Sequence, residues 1–345
     1  MNRKFKIKSN SGSVVIIMAL AIFSMLDAGC LSGFAQGALT PPGAPAPTMK
    51  TLAQIEPRTP IASLPYTITN AGSYYVTANL VGVAGQVGIL ISTNNVTLDL
   101  GGFALSGVPS STTGIFISGS YSNIVVRNGT ITGWGGQGVN GYTLGFPRNV
   151  IYEHLAISGN GTVGLNAEAG SIIRDCVIMN NGSDGISSVG SLITGCITRD
   201  NLRYGMNVTG STIRLCTVQN NGTGINADHT TVSDCDIMNN SMNGLNLSSA
   251  CCIINNRIAD HVGNPGNALF LTGTINYIAG NAVINNNFGL YTGTLAATNN
   301  CIIQNRFLSS LNTSVSIYDI FPTVEPAYGT YNFATTNSLV NLFFP

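Results

Sequence analysis

Short apolar runs recur along the chain, and Gly and Asn rather than charged residues bound each run. The pattern is clearest from Val163 to Met242, where one motif of Gly-apolar, a β-branched residue and Cys-x-(Ile/Thr/Val)-x-x-Asn occurs four times. The glycines lie 21, 20, 19 and 20 residues apart, at Gly164, Gly185, Gly205, Gly224 and Gly244. The cysteines lie 20, 20 and 19 residues apart, at Cys176, Cys196, Cys216 and Cys235. A period near 20 residues predicts a solenoid.

Residue chemistry separates three solenoids of comparable period. A leucine-rich repeat needs a ladder of Leu and a return segment, but leucine is sparse in these copies. A left-handed β-helix counts in sixes, which a period of 19 to 21 residues does not fit. The β-branched residues suit short strands, and Asn and Gly suit tight corners. The sequence therefore predicts an all-β fold, a right-handed parallel β-helix with three strands per coil.

The register extends beyond the four copies when the Cys position is used as a marker. Ten coils follow, with markers at Phe103, Gly129, Leu155, Cys176, Cys196, Cys216, Cys235, Asn256, Asn281 and Asn305. An apolar ladder is expected inside, at Ile173, Ile193, Ile213 and Val232. Five residues after the marker stands a second ladder, whose amides can bond from coil to coil or serve only as turn residues: Asn160, Asn181, Asn201, Asn221, Asn240 and Asn286.

The marker cysteines are expected to form a buried ladder of free thiols. Adjacent strands lie about 4.8 Å apart, a distance that disulfides allow between Cα atoms. In-register side chains point the same way, however, which leaves their Cβ atoms farther apart than the roughly 3.8 Å that a disulfide favours. Two residues before the marker, Arg127, Glu153 and Arg174 are expected to face outward as an exposed charge network.

The amino-terminal segment predicts export. A basic stretch precedes an apolar run of 13 residues, so residues 1–35 are interpreted as a signal peptide. A lipid anchor at Cys30 is the alternative, although Asp27 stands where a lipobox has Leu. Residues 36–60 are predicted to form a Pro-rich linker and a short helical turn. The β-helix is expected over 61–310, with an amino-terminal cap at 61–86, where a hairpin is expected, and a carboxyl-terminal cap or tail at 311–345.

Composition and charge exclude several classes of function. Only 8% of the 345 residues are charged. Removal of the signal peptide takes away four basic residues and one acidic residue, which leaves 10 and 13. No basic stripe for nucleic acid remains, and no later apolar run is long enough to span a bilayer. No cofactor or metal ligand set is predicted, and His229 and His261 are interpreted as turn residues.

Two runs carry a resemblance to a known family: GSYYVTANL from Gly72 and GILISTNNVTLDLGGFALSG from Gly88. They resemble the opening coil of secreted bacterial right-handed β-helix proteins of the pectate-lyase-like superfamily. The similarity covers about residues 61 to 310 and concerns the scaffold. It implies a fold shared by polysaccharide lyases, glycoside hydrolases and proteins of no assigned activity, so it does not by itself imply a function.

The strings expected of a known active site do not occur. A pectin hydrolase would bring Gly-His-Gly and Arg-x-Lys with paired Asp residues, and a pectate lyase would need a cluster of calcium-binding carboxylates. The candidate site lies instead where coils two and three lengthen to 26 residues. Glu153 and His154 are its candidate acid and base. Aromatic and polar side chains are its candidate ligand-binding residues: Trp134, Tyr142, Phe146 and Arg148. The alternative is that Trp134 and Phe146 cover the apolar side of the solenoid.

Two functions remain open. The first is an exported, non-catalytic β-helix that presents a face for polysaccharide binding or has a structural role at the cell surface. The second is a polysaccharide lyase or glycoside hydrolase with an atypical site near the lengthened coils. The missing acid pairs and calcium cluster favour the first.

Overall fold

The computed structural model describes residues 56–141, 148–167, 169–292, 300–308 and 333–334. The chain divides into two units, Met1–Glu56 and Pro57–Pro345. The predicted signal peptide, Cys30 and almost all of the linker lie outside the described residues, as does the carboxyl-terminal tail apart from 333–334. The domain boundaries therefore remain predictions.

The second unit is a parallel β-solenoid whose coils each contribute strands to three faces. Face 1 is an 11-stranded parallel sheet, so the described part of the unit has 11 coils where the sequence predicted ten. Its strands are β2 (Tyr66–Ile68), β5 (Ile89–Ile91), β8 (Ile115–Ile117), β10 (Val139–Asn140), β12 (Leu165–Ala167), β15 (Ile186–Val189), β18 (Tyr204–Thr209), β21 (Thr223–Asp228), β24 (Leu245–Leu247), β27 (Asn267–Leu271) and β30 (Phe288–Thr292).

Face 2 and face 3 are joined in one 22-stranded sheet. They are joined because the 11-residue strands β9 (Ser122–Thr132) and β11 (Arg148–Ser158) run through the corner between them. The other face 2 strands are β1 (Thr59–Ile61), β3 (Gly72–Val76), β6 (Val96–Asp99), β13 (Ile172–Arg174), β16 (Leu192–Thr194), β19 (Thr212–Arg214), β22 (Thr231–Ser233), β25 (Cys252–Ile254), β28 (Tyr277–Ala279) and β31 (Cys301–Ile303). The other face 3 strands are β4 (Leu80–Val81), β7 (Ala104–Ser106), β14 (Val177–Met179), β17 (Ile197–Arg199), β20 (Thr217–Gln219), β23 (Asp236–Met238), β26 (Arg257–Ala259), β29 (Ala282–Ile284), β32 (Arg306–Leu308) and β33 (Phe333–Ala334).

The additional coil comes from the segment that was expected to form a hairpin cap. Strands β2 and β3 do flank the predicted Asn70-Ala71-Gly72 turn. They belong to different faces, however, and each pairs in parallel with a strand of the following coil, β2 with β5 and β3 with β6. The alternation of apolar and polar residues that predicted two strands does not distinguish a hairpin from a coil.

The apolar core lies inside the coils. The predicted ladder is confirmed, since Ile173, Ile193, Ile213 and Val232 stand in register and are fully buried. The four marker cysteines are buried free thiols, as predicted. Each points inward at corner 2, the corner between face 2 and face 3, and donates a hydrogen bond to a backbone carbonyl, as Cys176 does to Arg174.

Corners 1 and 3 lie between face 1 and face 2 and between face 3 and face 1. At most corners one residue adopts a left-handed backbone conformation and the next residue points inward. At corner 3, Asn180, Asp200 and Asn220 have φ between 55° and 57°. Asn and Asp tolerate this conformation better than other residues with a side chain. The residues that follow them form the predicted Asn ladder.

Hydrogen bonds between amides hold that ladder together. Asn181 Nδ2 donates to Asn201 Oδ1 at 2.9 Å, and Asn201 Nδ2 donates to Asn221 Oδ1 at 3.0 Å. Each of these acceptors also receives a backbone N–H from the preceding coil. The ladder residues are thus bonded from coil to coil rather than serving only as turn residues, and they satisfy buried backbone groups at the corner.

Candidate functional site

The residues around Glu153 lie where β11 passes through corner 2. Glu153 is the last outward residue of its face 2 segment, His154 adopts the left-handed conformation with φ of 52°, and Leu155 then points inward. Parallel pairing places Glu153 beside Arg127 of β9 on one side and Arg174 of β13 on the other. The predicted order of one carboxylate between two guanidinium groups is confirmed.

The row of charges is longer than the sequence predicted. Arg127 Nε lies 3.3 Å from Asp99 Oδ2, and Arg58 Nη1 lies 3.6 Å from the same carboxylate. Arg174 Nε donates to Glu153 Oε2 at 2.8 Å, and Arg127 Nη1 lies 3.9 Å from Glu153 Oε1. From Asp99 to Arg174, negative and positive groups therefore alternate across four successive coils, and Arg58 reaches Asp99 from two coils earlier. We name these five residues, Arg58, Asp99, Arg127, Glu153 and Arg174, the charge row.

Counting back from the marker missed Asp99. The position two residues before the marker Phe103 is Gly101. Gly101 and Gly102 add two residues to the corner between Asp99 and Phe103, so the charged residue of this coil stands farther from its marker than in the other coils. Both glycines have positive φ, of 61° and 82°, and they let the chain make this longer corner. Asp99 therefore takes the register position beside Arg127.

The burial of the carboxylates differs from the expectation of an exposed network. Glu153 is 7% exposed and Asp99 is 8% exposed. Their guanidinium partners remain partly exposed, with side-chain exposures of 38% for Arg127 and 48% for Arg174. The stems of long cationic side chains cover the carboxylates while the charged groups reach solvent. Burial of a charge is tolerated here because each carboxylate is paired.

Positive groups continue along the same strand position beyond the charge row. Arg174 pairs in register with Thr194, and Thr194 with Arg214. Arg214 is exposed and has no ion pair among the residues described. The charge row and Arg214 together hold four guanidinium groups against two carboxylates, and Arg214 is the guanidinium group without an ion pair among the residues described.

His154 is the most accessible titratable group beside the charge row. Its side chain is 58% exposed, and its Nε2 lies 3.8 Å from Asp175 Oδ2 in the next coil, which is 55% exposed. An exposed imidazole near a carboxylate can accept and donate protons. Glu153 is instead held between two guanidinium groups, so the two predicted acid–base residues are neighbours in sequence with different surroundings.

Trp134 is a core residue, which corrects its assignment as a ligand-binding residue. It is 1% exposed, and its Nε1 donates to the Leu105 carbonyl at 3.1 Å. Its backbone N–H donates to Asn160 Oδ1, so it occupies the inward corner 3 position at the start of the Asn ladder. Trp134 stands five residues after its marker Gly129, and the rule that located the Asn ladder would have placed it inside. The ring packs on Gly82 and Gly88, where a Cβ would come within 2.6 Å and 2.5 Å of it.

The side chains of the other three predicted ligand-binding residues lie outside the described part of the chain. Tyr142 and Phe146 lie outside the described residues. Arg148 begins β11 and pairs with Ser122, but its side chain also lies outside the described part. Their roles remain predictions.

Within the described ranges, no group of three or more His, Cys, Asp and Glu side chains is arranged to hold a metal ion. The same residues include no helix long and apolar enough to cross a bilayer.

Comparison with known proteins identifies the scaffold. Residues 67–230 match the family model described as a right handed beta helix region. The A-module of mannuronan C-5 epimerase AlgE4 from Azotobacter vinelandii superposes with a TM-score of 0.51 at 13% identity, covering 77% of this chain and 90% of that one. A variant of the periplasmic alginate epimerase AlgG superposes with a TM-score of 0.50 at 11% identity, covering 71% and 76%.

At these identities the likeness concerns the fold alone. No curated protein matches the chain in sequence. The scaffold expected from the resemblance to the pectate-lyase-like superfamily is confirmed, and the handedness that the period could only suggest is the one that the family model describes. The described part of the second unit therefore has the fold of a right-handed parallel β-helix.

Proposed function

We propose that the protein is an exported, non-catalytic β-helix that binds an acidic polysaccharide along face 2. The observation that carries the proposal is the surplus of guanidinium groups over carboxylates at the end of the charge row, where Arg214 follows Arg174 two coils later and has no ion pair among the residues described. A carboxylate-bearing glycan is the ligand class that this surplus charge favours, because guanidinium groups bind carboxylates through paired N–H donors.

The solenoid supplies the spacing for a polymer. Arg174, Thr194 and Arg214 stand at one strand position on three consecutive coils. Because neighbouring strands lie about 4.8 Å apart, the two arginines begin roughly 10 Å apart along the axis. A polymer lying parallel to that axis meets both arginines with successive acidic groups, and the Thr194 hydroxyl between them can bond a sugar hydroxyl.

Export is part of the proposal. It is supported by the basic and apolar amino-terminal segment, and the name of the AlgG neighbour places that protein in the periplasm. The two structural neighbours are named for action on mannuronan and on alginate, both polysaccharides. The choice of an acidic ligand rests on the arginines of this chain.

The surroundings of Glu153 support a non-catalytic role. A general acid or base must exchange its proton with a substrate that it can reach. Glu153 is 7% exposed and bonded to Arg174, so it is withdrawn from a ligand on this face. Its position is suited to holding coils in register.

Affinity measurements with two arginine variants test the binding proposal. We expect retention on polygalacturonate and alginate at low salt, and release as salt is raised, because ion pairs at a surface are screened. Arg174→Gln with Arg214→Gln should reduce retention by about tenfold or more. Arg257→Gln is the matched control, since Arg257 is also a paired, half-exposed arginine but lies on face 3. Equal retention by the double variant and wild type would disprove the assignment to face 2.

A lyase or hydrolase remains the second candidate function, and the pairing of exposed His154 with Asp175 favours it. Incubation of the same preparations with each polysaccharide, followed by assays for new reducing ends and for unsaturated ends, distinguishes the two functions. Product formation that His154→Ala abolishes and that Arg257→Gln leaves intact would establish catalysis. We expect no product with wild type.

A further inference from the structure

Face 1 carries a different surface chemistry from the charge row. The central outward position of its strands holds no charged residue in any described coil, and it is occupied by Thr67, Leu90, Phe116, Asn140, Asn166, Ser187, Asn207, Asn226, Asn246, Phe270 and Tyr291. Charged residues flank this row at Asp228, which ends β21, and at Arg203, which precedes β18. Amides and aromatic rings dominate this row. Such a surface gives no electrostatic advantage to an anion, and its amides match a partner rich in hydroxyl groups.

Two adjacent rows of this face meet in an array of amides and rings over three coils. Register pairing aligns Asn246 with Phe270 and Phe270 with Tyr291. Beside them run Asn243, Asn267 and Phe288, of which Asn267 and Phe288 are paired. We name these six residues the amide–aromatic array: Asn243, Asn246, Asn267, Phe270, Phe288 and Tyr291.

The rings form a continuous platform. Phe270 and Tyr291 are stacked with centroids 5.7 Å apart and planes inclined by 15°. Phe288 packs against Tyr291 at 6.1 Å with a tilt of 51°. Tyr291 is 39% exposed. A tyrosine held by two other rings loses little conformational freedom when a flat apolar surface stacks on it.

The amides beside the rings are not satisfied among themselves. Asn267 is 1% exposed, and its backbone N–H and Nδ2 both donate to Asn243 Oδ1, at 3.3 Å and 2.9 Å. Asn243 Nδ2 in turn donates to Asn246 Oδ1 at 2.8 Å. Asn267 Oδ1 is buried without a hydrogen-bond partner among the described residues. Such an acceptor has an unmet requirement for an N–H or O–H donor.

We propose that the amide–aromatic array binds an uncharged pyranose unit of a glycan. The apolar face of the sugar ring stacks on Tyr291. The Asn246 amide, which lies beside the rings at the surface, donates to a ring hydroxyl. Neutral sugars are favoured over uronates because the array contains no guanidinium group to pair with a carboxylate. The site lies on a different face from the charge row, so it can hold a neutral part of the same polymer or a different glycan.

Calorimetric titration of the full chain tests the proposal. The probes are cellohexaose, mannohexaose and xylohexaose, with hexagalacturonate as the charged counterpart. We expect at least one neutral hexaose to bind, and Tyr291→Ala to weaken that binding by about tenfold. Asn246→Ala should weaken it by about threefold. Phe116→Ala is the matched control, because Phe116 occupies the same outward row in another coil without neighbouring rings. The affinity of this variant for the hexaose should stay within about twofold of the wild-type affinity.

The outcomes separate this proposal from the binding of acidic glycans on face 2. Arg174→Gln with Arg214→Gln should leave neutral hexaose binding unchanged, and Tyr291→Ala should leave retention on polygalacturonate unchanged. No binding of any neutral hexaose, or full affinity in both Tyr291→Ala and Asn246→Ala, would overturn the assignment. Far-UV circular dichroism verifies that each variant is folded. If Tyr291→Ala is unfolded, Asn246→Ala alone decides the result.

Discussion

At the scale of single residues, the inside of each coil holds a few polar groups whose hydrogen bonding differs from that of their neighbours in register. Thr198 points inward between Ile178 and Val218, and it is fully buried. His261 stands in the corner 3 ladder where other coils have Asn. Because register makes each position comparable with the next coil, single substitutions can be designed with matched controls.

Thr198→Val should stabilise the protein. Thr198 Oγ1 is buried without a hydrogen-bond partner among the residues described, and an unsatisfied hydroxyl costs roughly 1–3 kcal/mol. Valine has nearly the same shape and matches Val218 in the next coil. We expect the free energy of unfolding, measured in urea, to rise by about 1 kcal/mol. Thr217→Val, on the outward side of the same face, should change it by less than about 0.5 kcal/mol.

His261 makes stability depend on pH. Burial lowers its pKa from about 6.5 to about 4, against the opposing effects of the Asn286 hydrogen bond and Asp260. The neutral ring continues the ladder's hydrogen bonds, in which each side chain accepts from the preceding coil and donates to the next. Asn240 Nδ2 can donate to His261 Nε2 at 3.2 Å, and His261 Nδ1 can donate to Asn286 Oδ1 at 2.7 Å. As pH falls below 6.5, the unfolded chain takes up a proton that the folded protein does not. Stability is therefore retained above pH 6.5 and lost progressively toward pH 4.

His261→Asn should remove this loss. Asn occupies the equivalent position in the preceding and following coils, so the ladder can continue through an amide. We expect wild type to lose about 3 kcal/mol more than the variant when urea unfolding is compared between pH 7 and pH 4. His229→Asn is the control, since the His229 side chain is 62% exposed. The explanation fails if the two variants show the same pH dependence.

At the scale of the element, the close approach of corner 3 to face 1 depends on glycine in most coils. A Cβ at Gly205 would come within 2.7 Å of Asn221 Nδ2, the Gly224 carbonyl oxygen and Val218 Cγ1. Two of these atoms belong to the ladder and the backbone, which cannot move without disturbing the next coil. The repeated glycine that revealed the period is therefore a packing requirement.

Gly205→Ala should destabilise the solenoid by about 2 kcal/mol, since overpacking typically costs 1–3 kcal/mol. The control is Ala268→Gly. Ala268 stands in register with Gly244, at the position that glycine occupies in the neighbouring coils. The backbone there already accommodates a Cβ, so the change should lower the free energy of unfolding by less than about 1 kcal/mol. Urea unfolding measures both. A Gly205→Ala variant as stable as wild type would contradict the packing argument.

At the scale of the whole molecule, the charge row links successive coils by specific ion pairs, whereas the apolar core holds them by packing alone. It runs from Arg58, which precedes β1, to Arg174 of β13, through carboxylates that are buried between arginines. Burial makes these pairs more specific than exposed ones, because a slip in register would leave a buried charge unpaired. The row therefore favours one alignment of the amino-terminal coils.

Glu153→Gln should lower the free energy of unfolding by about 2 kcal/mol. Breaking a fully buried pair costs about 3–5 kcal/mol, and the partial exposure of Arg127 and Arg174 reduces that value. Asp236→Asn is the control, because the Asp236–Arg257 pair is exposed on both sides and should contribute less than about 1 kcal/mol. Urea unfolding at low and high salt measures both variants. Equal losses would mean that Glu153 acts as an ordinary surface charge.

Local pattern alone determined the fold class, the inward Ile ladder and the thiol ladder. Alternation along a strand and left-handed residues at corners are properties of short segments, and the period of about 20 residues carries them from coil to coil. Where the corners keep the same length, register could be counted from the sequence, as it was for Glu153 between Arg127 and Arg174.

Only the tertiary structure decided what happens where corner length changes or where distant coils meet. Gly101 and Gly102 shift Asp99 into the charge row, and glycines of earlier coils make the space that Trp134 fills. The burial of Glu153 and the grouping of Asn246, Phe270 and Tyr291 depend on side chains more than 20 residues apart. Such surfaces are set by which coils stack next to each other, and a repeat pattern does not specify the chemistry of positions that vary from one repeat to the next.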